Sequence, residues 1–571
     1  MKFAEMKYRR PDTAAIEMEY RDMAQRFPLC VSAEEQLEML DRHEKLMSDV
    51  NTMGTLAYIR SSINTTDTFY REEQDFFDGW NPQLREYVQQ FLDQVLASPF
   101  RAELEKATGE LFFRNMEIEK KTFSPQIIPL MQEENRLATE YEQLLASADI
   151  AIQGEQCNLS EIIRHQTSPD RKVRQEAWEK TDAFFTEKGQ RMDEIYDALV
   201  KCRTKQAKAL GYENFVQLGY DRLGRNCYSP ADVAAFREQV AKDLVPVIAQ
   251  LKEKQRQRLG VSRLCFWDED TLLPHGNPAP VGGEKELVEA AGKMYREMSM
   301  QTGEFFDFMR ENELFDLLSK KGKAGGGYCT YIPNYKSPFI FANFNGTVDD
   351  VEVLTHEAGH AFAAYRARNQ RYLENMTPTM ESAETHSMSM ELFSRPWDEG
   401  FFGDKAGEFR SYQLENCLDF IPYGTMVDEF QTKVYENPEW SPMERKELWA
   451  DLEKKYRPWL TFEGLPYFEA GGYYQWKHHI YSSPMYYIDY CLAQVTALEF
   501  WELSEKDWQG AFARYLDFVN SAGEKTFRGL VHGAGLKLPF ESGCVKEIAG
   551  KVLEYLEKHP QIGRASCRER V

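Results

Sequence analysis

The sequence predicts a mainly α-helical fold with one small β-sheet. Two observations carry that reading. Long stretches repeat apolar residues at three- and four-residue spacing and end in Gly or Pro. A single stretch, Gly322 to Thr347, instead sets aromatic and branched residues between Gly, Asn and Pro turns, the pattern of short strands.

In chain order, Ser32 with Glu35 three residues on opens a helix running to about Thr65. Asn81 to Gly109 reads as one further helical run, as do Asp170 to Gly211 and Ser229 to Gly260. Trp267 to Glu286, rich in Pro and Gly, reads as an exposed loop. After the sheet, Thr347 and Asp350 resemble a capping box, so a helix is expected from near Val348. No fixed-period repeat is present, which excludes a solenoid. The expected organisation is an N-terminal helical lobe over 1–160 and a larger region over 161–561 that includes the sheet at 322–347. The last ten residues, Ile562 to Val571 (IGRASCRERV), turn abruptly basic and small and read like a translated sequencing adapter. They are expected to be a non-native tail.

At 571 residues the chain can bury a large core, and its 42% apolar content is ordinary for a globular protein. A net charge of −23 argues against nucleic acid as a partner. The N-terminus lacks an apolar run of signal-peptide length, and no stretch reaches the roughly 18 apolar residues of a membrane span. The ten cysteines are scattered without a C-x-x-C pair, so free thiols and a cytoplasmic location are expected.

The chemistry concentrates in VEVLTHEAGHAFAAYRAR, Val351 to Arg368, which contains His356, Glu357 and His360 as H-E-x-x-H. On a helix, four-residue spacing puts both imidazoles on one face, one turn apart. Two neutral ring nitrogens so placed can bind one Zn²⁺ at about 2.0–2.1 Å, with the intervening glutamate beside the metal as a general base. The apolar face Val351, Leu354, Ala358, Ala361, Phe362 and Tyr365 is in register with that helix.

A third ligand is expected from PTMESAETHSMSMELFSRPW, a short helix bracketed by Pro378 and Pro396. Glu384, Ser387 and Glu391 share one of its faces. Glu384 is the expected ligand and Glu381 its rival, while His386 faces away. Glu391 is expected to orient a histidine through its free N–H, the alternative being a solvated surface charge. Two His, one Glu and an open position describe a catalytic rather than a structural zinc site.

Leu465 to Gln494 is dense in Tyr and His. His479, Tyr486 and Tyr490 are candidates for stabilising a tetrahedral intermediate, with Tyr481 and Tyr487 left open as alternatives or as core aromatics. Gly471 and Gly472 are expected to let this segment move over a substrate.

Together the segments GKAGGGYCT, FNGTVDDVEVLTHEAGHAF, ESAETHSMSME, VDEFQTKVYENP and HHIYSSPMYYIDYCLAQ resemble the oligoendopeptidase F and thimet oligopeptidase family of zinc metallopeptidases, especially its shorter bacterial members. The glutamate segment fits that family's Glu-x-x-Ser-x-x-x-Glu pattern. The resemblance implies a two-lobed helical ellipsoid with a deep central channel, a gluzincin-type zinc site on its floor, and cleavage inside short oligopeptides. It implies His356, His360 and Glu384 as ligands of one Zn²⁺, Glu357 as base, and His479 with nearby tyrosines as transition-state contacts. The substrate is expected to lie extended along the strand near Phe339 to Asn345. Two other readings stand beside this one: a zinc carboxypeptidase on a similar helical scaffold, and a helical peptide-binding protein without catalysis.

Overall fold

A computed structural model describes residues 1–559, so the expected tail at Ile562 to Val571 lies outside the described residues. The chain is predominantly helical, with a two-stranded and a three-stranded sheet. Among the described residues no helix is long and apolar enough to cross a membrane.

The expected helices form where local signals were strongest. Ser32 caps Ala33–Ile63 by accepting from the Glu35 amide, and Asp170 caps Arg171–Ala209 through the Lys172 amide. The run from Asn81 to Gly109 is instead two elements. Thr68–Leu96 carries Pro82 inside it, and Arg101–Thr108 follows a break at Ser98–Pro99, where proline disfavours helix in the preceding residue. The expected exposed loop after Trp267 is half wrong: Trp267, Asp268, Thr271, Leu272 and Leu273 are buried.

Strands β1 (Ile150–Ile152) and β2 (Glu155–Cys157) form a hairpin, and β3 (Phe315–Leu318), β4 (Tyr328–Ile332) and β5 (Ser337–Phe344) form the sheet beside the H-E-x-x-H helix. The strand order is β3-β5-β4, with β5 parallel to β3 and antiparallel to β4. This corrects one expectation. Phe339 to Asn345 belongs mostly to β5, the central and largely buried strand, paired with β4 over Ser337–Phe341 and with β3 from Ile340 to Phe344, so it is not the edge of the sheet. The free edge is that of β4, whose residues stay half-buried except Ile332.

From β5 the chain turns through Asn345 and Gly346 into the helix Asp349–Ala367. Thr347 does not cap it. The Asp350 carboxylate reaches back to accept from the Asn345 and Gly346 amides, each at 2.8 Å, and Gly346 supplies the positive φ of 86° that the turn needs. The predicted apolar face, Val351 through Tyr365, packs into one large core with β5. A second large core takes most of the helices Ala406–Glu436 and Ile488–Ser504, though Ala406, Phe409, Tyr412 and Phe500 enter the first. The helix Met380–Phe393 belongs to both: Met390 and Phe393 enter the first core, Met388 and Leu392 the second. The N-terminal helices enclose a core of their own.

Candidate metal and catalytic site

Two helices build the centre of the site. Gly359 sits where the His356 helix crosses the Glu384 helix. A Cβ there would lie 2.6 Å from the Ser387 Cα and 2.8 Å from the His386 carbonyl oxygen, so only glycine allows the approach. That approach brings the Glu384 carboxylate to the histidine pair: Oε2 lies 3.2 Å from His356 Nε2 and 3.3 Å from His360 Nε2. Glu384 is buried, whereas both imidazole side chains keep 20% of their surface open, so solvent reaches the site from the histidine side.

The surroundings orient these donors. His356 Nδ1 donates to Glu391 Oε1 at 2.7 Å, so Nε2 is the ring nitrogen turned to Glu384. Ser387 Oγ donates to Glu384 Oε2 at 3.1 Å, and the Tyr486 hydroxyl donates to Glu384 Oε1. Burial opposes charge on Glu384, yet the two histidines hold its carboxyl well below the ordinary range. Burial likewise opposes charge on His356, but Glu384 and Glu391 outweigh it and push its pKa well up. Asp349 and Glu352 sit half-buried on the preceding turn, and burial pushes both carboxyls up, Glu352 well above the ordinary range. Two imidazoles and the Glu384 carboxylate thus converge on one point, where a cation would replace the proton that Glu384 and Glu391 favour on His356.

The donor set fits zinc. Two imidazole nitrogens and one carboxylate oxygen lie within 4.8 Å of one another, the nitrogen and carboxylate donors of a three-residue zinc site. Glu357 is 7% exposed and its Oε2 is buried without a hydrogen-bond partner. Burial raises its pKa, against the pull of His356 and His360. Its other oxygen points toward the loop before β4, because a Cβ on Gly327 would lie 3.5 Å from Oε1.

The rival residues separate cleanly. Glu381 is fully buried away from the histidines and accepts from Thr379 and Tyr228. His386 packs edge-on against Phe518. Tyr481 stacks flat on Tyr141 in the core, whereas Tyr487 is buried between Phe420 and Tyr423 on one side and His479 and Tyr490, 5.0 and 5.4 Å away, on the other. Tyr486 and Tyr490 instead stay half-buried, their rings 4.9 Å apart, and the Tyr490 hydroxyl lies 3.3 Å from His479 Nε2. Burial pushes both phenols up and the His479 imidazole down, so all three are neutral near pH 7. Gly471 and Gly472 are not a hinge. A Cβ on Gly471 would meet the Lys446 carbonyl oxygen at 1.9 Å and one on Gly472 the Tyr467 ring at 2.2 Å, so both are buried for close packing.

Sequence reasoning missed what holds the tyrosines. Arg225 Nη2 donates to Asp489 Oδ1 at 2.8 Å and to the Met485 carbonyl at 2.6 Å. The Tyr228 hydroxyl lies between two buried carboxyls, 2.9 Å from Asp489 Oδ1 and 3.3 Å from Glu381 Oε2. This buried network ties the turn before Tyr486, where Met485 takes a φ of 67°, to the helix bearing Glu384. Nothing in YDRLGRNCYSP announces it.

Comparison with known proteins gives the family context. The Peptidase M3 N-terminal domain profile matches residues 3–123, and the Peptidase family M3 profile matches 164–272 and 288–549. A solved Pz peptidase A, in complex with an inhibitor, is 46% identical and superposes with a TM-score of 0.96 over 98% of this chain and 99% of its own. Oligopeptidase PepF of Bacillus subtilis (strain 168) is 22% identical over 90% of this chain and 80% of its own length. The oligoendopeptidase F homolog of Borreliella burgdorferi is 20% identical over 86% and 85%. The chain belongs to peptidase family M3.

Proposed function

We propose that this family M3 peptidase is a zinc-dependent endopeptidase that hydrolyses internal bonds of short oligopeptides. The observation that carries the reading is the convergence of His356, His360 and Glu384 beside an unpartnered Glu357 and a free strand edge. The printed names of the relatives, oligopeptidase and oligoendopeptidase, support the substrate class. The nine cysteines among the described residues are all unpaired, which suits a cytoplasmic protein.

His356 Nε2, His360 Nε2 and Glu384 Oε2 would hold the ion. Zinc, when bound, supplies a Lewis acid and lowers the pKa of water toward neutrality. The chain's own residues do the rest. The outer edge of β4 offers backbone donors and acceptors to an extended peptide. Glu357 lies between that edge and the histidines, where it takes the proton of the attacking water and returns it to the leaving amine. Its buried, raised pKa suits both steps. The neutral His479 and Tyr490 are the hydrogen-bond donors for the oxyanion. Glu391 fixes the His356 tautomer, and Tyr486 holds the Glu384 carboxylate.

A blocked, internally quenched peptide with an amidated C-terminus tests this. The zinc-loaded chain should cut it internally. Glu357→Gln should keep its zinc and lose kcat by about 10³-fold, within the range for a general base. Cleavage only of peptides with a free carboxylate would favour a carboxypeptidase. Equal cleavage by parent and variant would remove Glu357 from the mechanism.

A further inference from the structure

We infer that Glu155, Cys157 and His165 form a second metal site, for a thiophilic divalent cation such as zinc. The β1–β2 hairpin turns at Gln153 and Gly154, with φ of 49° and 83°, and strand periodicity puts Glu155 and Cys157 on the same face of β2. Asn158 then folds the chain back: its Oδ1 accepts from the Ser160 and Glu161 amides, and its own amide donates to Glu161 Oε2. The short helix Ile163–Gln166 follows and carries His165 to the same point. One donor atom from each residue lies within 4.8 Å of the others, and His165 Nε2 is 3.5 Å from Glu155 Oε2.

Two further observations point to a cation. His165 Nε2 is buried and has no hydrogen-bond partner, an exception that calls for a ligand. A positive charge already sits at the focus: Arg164 Nη2 donates to Glu155 Oε2 and lies 4.0 Å from Cys157 Sγ. Arg164 is 45% exposed and free to swing into solvent, so guanidinium and metal are alternative occupants. Thiolate, imidazole and carboxylate together select zinc-like metals over calcium or magnesium. The site stands apart from the His356 centre. Cys157, 1% exposed, packs into the separate core of Trp178 and Phe266. Glu155 and Cys157 also fall between the two family-matched stretches, so nothing in the family profile assigns them. A bound ion would pin the hairpin to the helix that follows it.

Cobalt distinguishes the two centres, because only this one offers sulfur. The full chain is stripped of metal, loaded with Co²⁺ and desalted; cobalt per chain and near-ultraviolet absorbance are then read. Two ions per chain and a thiolate-to-cobalt band are expected. The double variant His356→Ala/His360→Ala should keep the band and lose one ion. Cys157→Ser should lose the band, keep one ion and keep peptidase activity, and His165→Ala should likewise drop one ion. Arg164→Gln should bind cobalt at this site about threefold more tightly, the scale of one exposed ion pair. One ion per chain without a band in the parent would overturn the proposal. So would a band that survives Cys157→Ser, or cobalt content unchanged in His165→Ala.

Discussion

The two halves of the candidate catalytic centre are held by different physics. The His356–Glu384 half rests on two crossed helices whose contact is fixed by one glycine. The His479–Tyr490 half rests on a short, irregular segment held by a buried arginine, a positive φ and borrowed hydrogen bonds. The first half needs only helical periodicity to place its donors. The second depends on residues more than two hundred positions away. Ligand placement should therefore tolerate little local change, while tyrosine placement should respond to distant ones.

The sharpest probe of that contrast compares two tyrosines. Tyr490→Phe removes a proposed oxyanion donor and should lower kcat by about 10²-fold at unchanged zinc content. Tyr486→Phe should instead weaken zinc retention, because its hydroxyl serves Glu384. Steady-state kinetics with zinc analysis of each variant checks this, and equal behaviour of the pair would dissolve the distinction. Glu391→Gln comes next. Loss of the charged partner of His356 should weaken zinc affinity about 10-fold or more, read by competition with a chelator.

Gly359→Ala strikes the helix crossing itself and should cost about 1–3 kcal/mol by overpacking, read as a fall in denaturant midpoint. A neutral result would mean that the two helices can separate without loss.

The smallest effect is a pH slope from the buried network. Burial raises Asp489 to about 7, against the pull of Arg225. The folded state therefore keeps a proton there that the unfolded chain releases near pH 4, at about the ordinary carboxyl value. That contribution to stability is full below about pH 4 and is lost as pH rises through about 7. Asp489→Asn should flatten the melting temperature over this interval, and an unchanged slope would assign it to other groups.

What could be read from the sequence divides along the same line. His356, Glu357, His360 and the apolar register of their helix follow from spacing alone, because a helix converts sequence distance into a face. Glu384 was legible because Pro378 and Pro396 frame its helix. The glycines at 471 and 472 misled, since glycine marks both mobility and close packing, and only the positions of Lys446 and Tyr467 decide between them. The edge strand was misassigned for a related reason. β4 and β5 are both short and apolar, and their order in the sheet depends on β3, a partner supplied from farther back in the chain. The clamp of Arg225 and Tyr228 on Asp489 was invisible, because charged pairs buried across distant segments leave no periodic trace.

The helix Met380–Phe393 belongs to both large cores, and that membership has a kinetic consequence. A segment packed into only one core can open by itself while the remainder stays folded. This one cannot open unless both cores loosen. Its amide hydrogens therefore fall among those that exchange only through global unfolding. An ion held by Glu384 would leave past the solvent-open histidines or with the whole fold, not through fraying of that helix.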